Sequence, residues 1–424
     1  MSESTVVSAV EAILGTTGVK AWNELDEGLV ETLGPALKAG TAPAAIAYPP
    51  TQAELAAIMA CAHRQGWRVL VCGHGSKLDW GGYTAVDLVI STERLNRLIE
   101  HAVGDLTVTV EAGMGFYGLQ QKLAQANQFL AIDPAYPEIA TIGGIVATGD
   151  TGALRQRYGS VRDMLIGVAF VRHDGAAVKA GGRVVKNVAG YDLMKLMTGS
   201  YGSLGAITQL TFRTYPLQEA SQTVVFTGDP ATIEQLFKAV RRSPLTPIAF
   251  DIMTPALAQT EQVALAVRFQ SLAVGVEEQV QRVLEMGSTL SLTGKQLSGP
   301  DDERFWRRAA RDLWDSSLVA KVGINPAMAV SWLVQLGSRS VLARVHSRGV
   351  GLVQLSPAVT AAEIEDLRAS LQPGYVTLLK APPRLRQEFD LWGYSGDALP
   401  VMQAIKAQFD PQRRLSPGRF VGGI

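Results

Sequence analysis

The chain has 424 residues, enough for two domains and more than one hydrophobic core. Apolar residues make up 47% and charged residues 18%, and 39 basic residues balance 39 acidic ones, so the chain is globular and lacks the basic excess of a duplex reader. Nucleic acid is not an expected partner. Two cysteines, Cys61 and Cys72, are too few for the thiolates of an iron–sulfur cluster and are expected as free, partly buried thiols.

The first fifteen residues, MSESTVVSAVEAILG, lack the basic region of a signal peptide, and no apolar run approaches the roughly 18 residues of a membrane span. The expected location is cytoplasmic, peripheral to the inner membrane only through partners. Residues 1–44 read as a helical extension. Thr51 and Glu54 then form a capping box ahead of an amphipathic helix that stops at Gly66. Strands are expected from Trp67 to Cys72, Ala85 to Ile90 and Leu106 to Glu111, and a helix from Gly118 to Gln128. Two more strands are expected near Leu165–Arg172 and Ala176–Lys179. Ile207 to Tyr215 alternates as a half-exposed strand does, and Pro216 ends it.

Beyond Pro216 strand-like pieces (Thr223–Phe226, Val263–Phe269, Ser340–Val345) alternate with helices (Ala231–Val240, Val276–Met286, Asp302–Leu313, Ala361–Ser370). This pattern predicts an antiparallel sheet with helices on one face. The last stretch is a helix followed by Phe409-Asp410-Pro411 and the tail Pro417-Gly418-Arg419.

Gly113, Gly115 and Gly118 spell G-x-G-x-x-G after a strand, with Asp133 about twenty residues on, as in a nicotinamide dinucleotide fold. The same glycines also suit a plain turn into a helix. A second signal is Val69-Leu70-Val71-Cys72-Gly73-His74-Gly75-Ser76-Lys77, an apolar strand that delivers a glycine turn with a serine and a lysine. Successive N–H groups in such a turn make an anion nest. Further glycine segments follow: Ala140 to Gly149 with Gly152, then Gly159-Ser160-Val161-Arg162-Asp163, then Lys186-Asn187-Val188-Ala189-Gly190-Tyr191-Asp192, then Gly199 to Thr208. Glycine at this density between apolar segments implies backbone wrapped around an extended ligand.

The ordered set resembles the FAD-binding domain of the vanillyl-alcohol-oxidase and p-cresol-methylhydroxylase (PCMH) family, over about residues 45 to 217 and the final Asp410 to Arg419. Within that family, Gly159 to Asp163 and Lys186 to Asp192 look most like the FAD-binding E subunit of glycolate oxidase. The resemblance implies an α+β chain: a helical extension (1–44), a PCMH-type FAD-binding domain of two α/β subdomains (45–217), an α+β cap with an antiparallel sheet (218–398), and a C-terminal segment returning to the FAD domain (399–424). It implies FAD held by Gly73, His74, Gly75, Ser76, Lys77, Pro134, Thr141, Gly143, Gly144, Thr148, Gly149, Gly152, Gly205 and Ile207. Relatives with covalent FAD carry a histidine where Ser76 stands, so non-covalent FAD is expected. His74 is read as a loop donor near the pyrophosphate or as merely exposed.

Catalytic 2-hydroxy-acid dehydrogenases of the family carry His-x-Gly-Asp-Gly-Asn-x-His in the cap. The nearest match here, His346 to Val353, keeps only the first histidine, and His63, His74, His101 and His173 show no ligand spacing, so no metal site is expected. Candidates for the chemistry are His346, Lys186 and Tyr191, with Arg155 and Arg157 as possible carboxylate partners. Each has a structural reading as well, as does the basic helix Phe305 to Trp314. The implied function is a subunit of a multi-subunit glycolate dehydrogenase, beside a catalytic FAD subunit and an iron–sulfur subunit. The rivals are a stand-alone FAD-dependent 2-hydroxy-acid dehydrogenase and a non-catalytic assembly subunit.

Overall fold

The structure is a computed structural model that describes residues 3–182, 190–394 and 396–424. The chain divides into two compact units, one of Met1–Thr151, Ser160–Pro216 and Tyr394–Ile424, the other of Gly152–Gly159 and Leu217–Gly393. The sequence reading keeps Gly152–Gly159 with the first unit. In the structure the short helix Arg155–Tyr158 packs on the second unit's strand Ala249–Met253, and Ala153 joins that unit's apolar cluster.

The first unit begins with the helix Glu3–Leu14, which buries Val6 and Val10. The extension is not helical throughout: Val19–Ala21 pairs antiparallel with Ala45–Ala47. Three residues are too few to show a period-2 pattern, so no periodicity announces this strand. Together with Leu88–Ser91 and Val69–Cys72, which run parallel to Ala45–Ala47, it forms a four-stranded sheet. Thr51 caps the helix Gln52–Gln65 as expected: its Oγ1 accepts from the Glu54 amide at 3.2 Å, while its hydroxyl donates to the Glu54 carboxylate at 2.5 Å in place of the backbone contact of a full capping box. Gly66 closes that helix at φ +78°, a conformation that glycine adopts without strain.

The second sheet of this unit has five antiparallel strands in the order Leu98–Ala102, Thr107–Glu111, Ala206–Arg213, Leu165–Val171, Ala177–Gly181. Ala206–Arg213 is nearly all buried rather than half-exposed. Its polar positions are satisfied inside: Thr211 shares a 3.0 Å hydrogen bond with Thr109, and Thr208 donates to Gln52 at 2.7 Å. The same sheet decides the dinucleotide motif. Thr107–Glu111 pairs antiparallel with both neighbours, so the helix that follows (Phe116–Ala124) belongs to no parallel βαβ unit. A Cβ on Gly113 would collide with the Thr92 carbonyl, while one on Gly118 meets nothing. The glycines of the motif serve a tight turn and a helix.

The second unit is an eight-stranded, wholly antiparallel sheet, in the order Gly294–Ser298, Ala220–Gly228, Val263–Ser271, Ala249–Met253, Ser340–His346, Val350–Leu355, Val319–Gly323, Tyr375–Lys380. Helices cover both faces, not one as the sequence suggests. Pro230–Arg242, Ala273–Ser288, Ala329–Leu336 and Ala361–Ser370 bury their apolar sides with Val224 and Phe226. Gly299–Trp314 puts Phe305, Trp306, Ala309 and Leu313 on the other face, with Val225. The run Val224-Val225-Phe226 is apolar at each position because both faces are dry.

Candidate functional site

The two glycine segments that stand out in the sequence meet in the first unit. The strand Val69–Cys72 ends in the turn Gly73 to Lys77, and Thr141 starts the short helix Ile142–Thr148 beside it. A Cβ on Gly73 would overlap Thr141 Oγ1, so this approach depends on glycine. Gly143 sits equally close to Ala112: its amide donates to the Ala112 carbonyl at 2.7 Å, and a Cβ there would stand 2.8 Å from that oxygen. On the other side, Gly205 leads into the strand Ala206–Arg213 against Phe170. Between them lies a cleft lined by Gly73, Gly75, Ser76, Lys77, Thr141, Gly143, Gly144, Thr148, Gly205 and Ile207 among others.

Residues 43–181 match the family model of an FAD binding domain. This segment is an FAD-binding domain. Solved structures agree on the fold: p-cresol methylhydroxylase with substrate bound superposes at a TM-score of 0.74 with 17% identity, over 98% of this chain and 96% of that one. The FAD-binding chain thus has the PCMH-type fold. Among curated relatives, the glycolate oxidase subunit GlcE of Escherichia coli (strain K12) is 39% identical over 125 residues, 29% of this chain and 36% of GlcE. D-lactate dehydrogenase [cytochrome], mitochondrial, of Arabidopsis thaliana is 32% identical over 44% of this chain and 33% of its own length. The FAD-binding chain therefore spans only about a third of the length of these two relatives. A probable mitochondrial D-lactate dehydrogenase of Danio rerio aligns at 26% identity with 98% of this chain and 91% of its own.

The polar groups around the cleft suit an anionic dinucleotide. Lys77 is 6% exposed, and its Nζ lies 3.4 Å from Asp150 without the geometry of a hydrogen bond. Burial lowers the ammonium's pKa, and Asp150 opposes that shift. Asp150 also accepts the Ala135 amide at 2.8 Å, so it is fixed in place. A buried cation that lacks a hydrogen bond at the wall of a glycine cleft is what a phosphate oxygen would satisfy.

Arg419 reaches the cleft from the C-terminal tail. Its guanidinium donates to the carbonyls of Gly82 at 2.8 Å and Trp80 at 2.5 Å. Tyr201 lines the cleft and stacks on Phe420, with ring centroids 5.5 Å apart; burial raises the phenol's pKa, with Arg419 opposing. Neither residue stands among the expected binding set. The signal was partly visible, since both fall in glycine-rich runs that carry the family resemblance. Cys72 also lines the cleft, and burial pushes its thiol up to about 12, so the sulfur stays protonated and is a poor nucleophile. Neither Cys72 nor Cys61 is in a disulfide.

Four of the expected cofactor residues stand away from the cleft wall. The His74 ring donates through Nδ1 to the Ile139 carbonyl at 3.1 Å. Pro134 is buried elsewhere in the first unit. Gly149 closes the helix Ile142–Thr148 at φ +61°. Gly152 belongs to the second unit. Of the catalytic candidates, Lys186 lies outside the described residues, and Tyr191 is 88% exposed.

His346 is different: it is buried in the second unit at the end of Ser340–His346, with Nδ1 hydrogen-bonded to Asp251 Oδ1 at 2.6 Å. The register of the two strands puts Asp251 directly opposite. Ser347 follows, donating to Gln156 Oε1 at 2.6 Å. Near this segment Arg155 lowers a Tyr375 phenol pKa that burial raises. A carboxylate that orients an imidazole is the arrangement of a general base, and it is equally a satisfied buried pair.

Proposed function

We propose that this chain is the FAD-holding subunit of a multi-subunit dehydrogenase that oxidises a small 2-hydroxy acid. Glycolate is the substrate, and electrons leave to an iron–sulfur subunit beside a second, catalytic FAD subunit. The observation that carries the reading is a glycine-lined cleft in a chain that is 39% identical, over 125 residues, to a protein named as a subunit of glycolate oxidase. The relatives named as D-lactate dehydrogenases support the 2-hydroxy-acid class. With two cysteines the chain has no iron–sulfur relay of its own, which supports an outlet through a partner.

In this reading Gly73 to Lys77 hold the pyrophosphate, with Lys77 supplying charge, while Thr141 to Thr148 and Gly205 to Ile207 line the flavin's path. The bound cofactor supplies acceptance of a hydride equivalent. The protein's own part is to bind, orient and keep water away. FAD is held non-covalently. Ser76 stands where attached relatives carry histidine, His74 is turned to a backbone carbonyl, and the Cys72 thiol is held protonated. Acid or heat should therefore release intact flavin into the supernatant. Flavin retained on the precipitate would refute the non-covalent assignment.

A second reading, a stand-alone dehydrogenase, draws on the His346–Asp251 pair. One assay separates the two. Glycolate, D-lactate and other small 2-hydroxy acids are added anaerobically to the flavin-loaded chain while the flavin band is followed. The subunit reading expects little bleaching alone and restored bleaching with a second flavoprotein and an iron–sulfur protein. Fast bleaching by the chain alone would establish the stand-alone enzyme instead.

A further inference from the structure

The helix Gly299–Trp314 buries Phe305, Trp306, Ala309 and Leu313 and carries a second, basic stripe. Arg304, Arg307, Arg308 and Arg311 stand at i, i+3, i+4 and i+7, so they share one side of the helix over about 10 Å. They line a groove of the second unit together with Lys295, on the end strand of the sheet, and the turn from Ala258 to Thr260. The floor of the groove is apolar. Val225, Ala258 and Phe305 are buried there, and Leu297 packs on them half-buried.

The charge of this groove is one-sided. Among the described residues, five cations line it against one carboxylate, Asp301. Glu303 and Asp312 pair with Arg307 and Arg311 at 3.5 and 2.8 Å, which still leaves five cations to three carboxylates. The whole chain is balanced at 39 to 39, so the excess is local. Arg304, Arg307 and Arg311 are 71%, 73% and 76% exposed, and their acidic partners lie within four residues on the same helix. Exposed pairs of this kind hold weakly and exchange readily for another carboxylate. Arg308 is fixed: it donates to Gln259 and, through Nη2, to the Leu257 carbonyl at 2.9 Å, and its Nε is enclosed without a hydrogen bond.

The shape narrows the occupant. No glycine lines the groove, so it offers no backbone nest for a phosphate, and the stripe is longer than one phosphate can span. A flat membrane surface would meet the exposed guanidinium groups and leave the floor empty. A peptide with carboxylates several residues apart and an apolar side chain between them meets both.

We propose that this groove docks an acidic segment of a partner protein, with its carboxylates on Arg304, Arg307, Arg311 and Lys295 and an apolar side chain on the floor beside Leu297. The partner takes its place from the preceding section, in which the chain works beside other subunits. Guanidinium forks match carboxylates in paired hydrogen bonds, and an apolar centre with a polar rim is the ordinary anatomy of a protein interface.

The test titrates the full flavin-loaded chain into a fluorescein-labelled peptide of glutamates with two interleaved leucines, followed by anisotropy. Saturable binding is expected, weakening as salt rises. Combining Arg304→Gln, Arg307→Gln and Arg311→Gln should weaken it at least about tenfold. Combining Lys238→Gln, Arg241→Gln and Arg242→Gln removes the same charge from exposed positions of the helix Pro230–Arg242 and should leave it within about twofold. Lys295→Gln lies outside the arginine helix and should also weaken the peptide, so the result does not hang on that helix alone. Flavin content should be the parent's in every variant. No saturable binding, equal binding of the peptide with glutamine in place of glutamate, or equal loss in the two triple variants would overturn the proposal. Tighter binding of tripolyphosphate or of phosphatidylglycerol vesicles than of the peptide would do so as well. Fast flavin bleaching by the chain alone would remove the subunit reading and leave the peptide result standing, whereas a failure of peptide binding leaves the subunit reading untouched.

Discussion

Replacing Lys406 by alanine is expected to cost the first unit about 3–5 kcal/mol, the range for breaking one side of a buried ion pair, and to leave the protein colourless. Lys406 is 1% exposed on the helix Ala398–Phe409. Burial lowers its pKa, but Asp410 holds the charge in place. Its ammonium has three donors and uses them on three acceptors: Asp410 Oδ2 at 2.6 Å, the Ser203 carbonyl at 2.8 Å and the Leu415 carbonyl at 2.9 Å. Asp410 in turn accepts the Leu415 amide at 2.7 Å. This knot joins the last helix, the tail and the Gly202–Gly205 stretch of the cleft wall. The tail also lies along the first cleft strand, where the Val69 amide donates to Arg414 and the Ser416 amide to Val69, both at 2.8 Å. Alanine leaves the Asp410 carboxylate buried and unpaired and frees both walls. The denaturant midpoint and the ratio of flavin to protein absorbance measure the two consequences. Lys238→Ala, which removes an exposed i,i+4 partner of Glu234, is the control and should change stability by no more than about 0.5 kcal/mol. The double variant Lys406→Met with Asp410→Leu should recover part of the loss, because an apolar pair leaves no uncompensated charge. A single variant with an unchanged midpoint and full flavin would refute this account of the tail.

The parts of the fold that were legible in the sequence are those written locally. Thr51, Glu54 and Gly66 announce a helix start and stop within a few residues of one another, and the structure places the caps there. The glycine turn Gly73 to Lys77 carries its own meaning, because a backbone must approach something closely. Lys406 could not be read this way. Lys406 meets Ser203 across about two hundred residues, and nothing near either residue signals the contact. The same holds for the second sheet face of the second unit. An apolar run such as Val224-Val225-Phe226 fits a strand buried on both faces or a buried helix segment equally well, and only the fold decides. Thr208 and Thr211 misled for a related reason: alternating threonines imitate a solvent face while their hydroxyls are in fact paired inside.

Gly75→Val is expected to abolish FAD retention, with affinity falling by at least about tenfold, the equivalent of 1.4 kcal/mol. Two independent obstacles act at this position. Gly75 has φ +79°, where a β-branched side chain is strained by about 1–2 kcal/mol or more. A Cβ there would also run into the Thr32 methyl, so the turn must shift away from its present course along the cleft. Gly118→Ala is the opposite case. Gly118 lies inside the helix Phe116–Ala124, a Cβ on it meets nothing within 4 Å, and it is not part of the cleft wall. Alanine there should keep the flavin and add about 0.5–1 kcal/mol of stability, the ordinary gain for glycine to alanine in a helix. Gly113→Ala, in the same G-x-G-x-x-G motif as Gly118, should lose stability, because its Cβ would press on the carbonyl oxygens of Thr92 and Leu95. The three variants therefore separate three uses of glycine: approach to a ligand, accident within a helix, and approach of backbone to backbone. Fluorescence titration of FAD into the flavin-stripped chains, with a melt of each, gives the comparison. A Gly118→Ala chain that lost FAD beside a Gly75→Val chain that kept it would move the dinucleotide site to the G-x-G-x-x-G turn and overturn the cleft assignment.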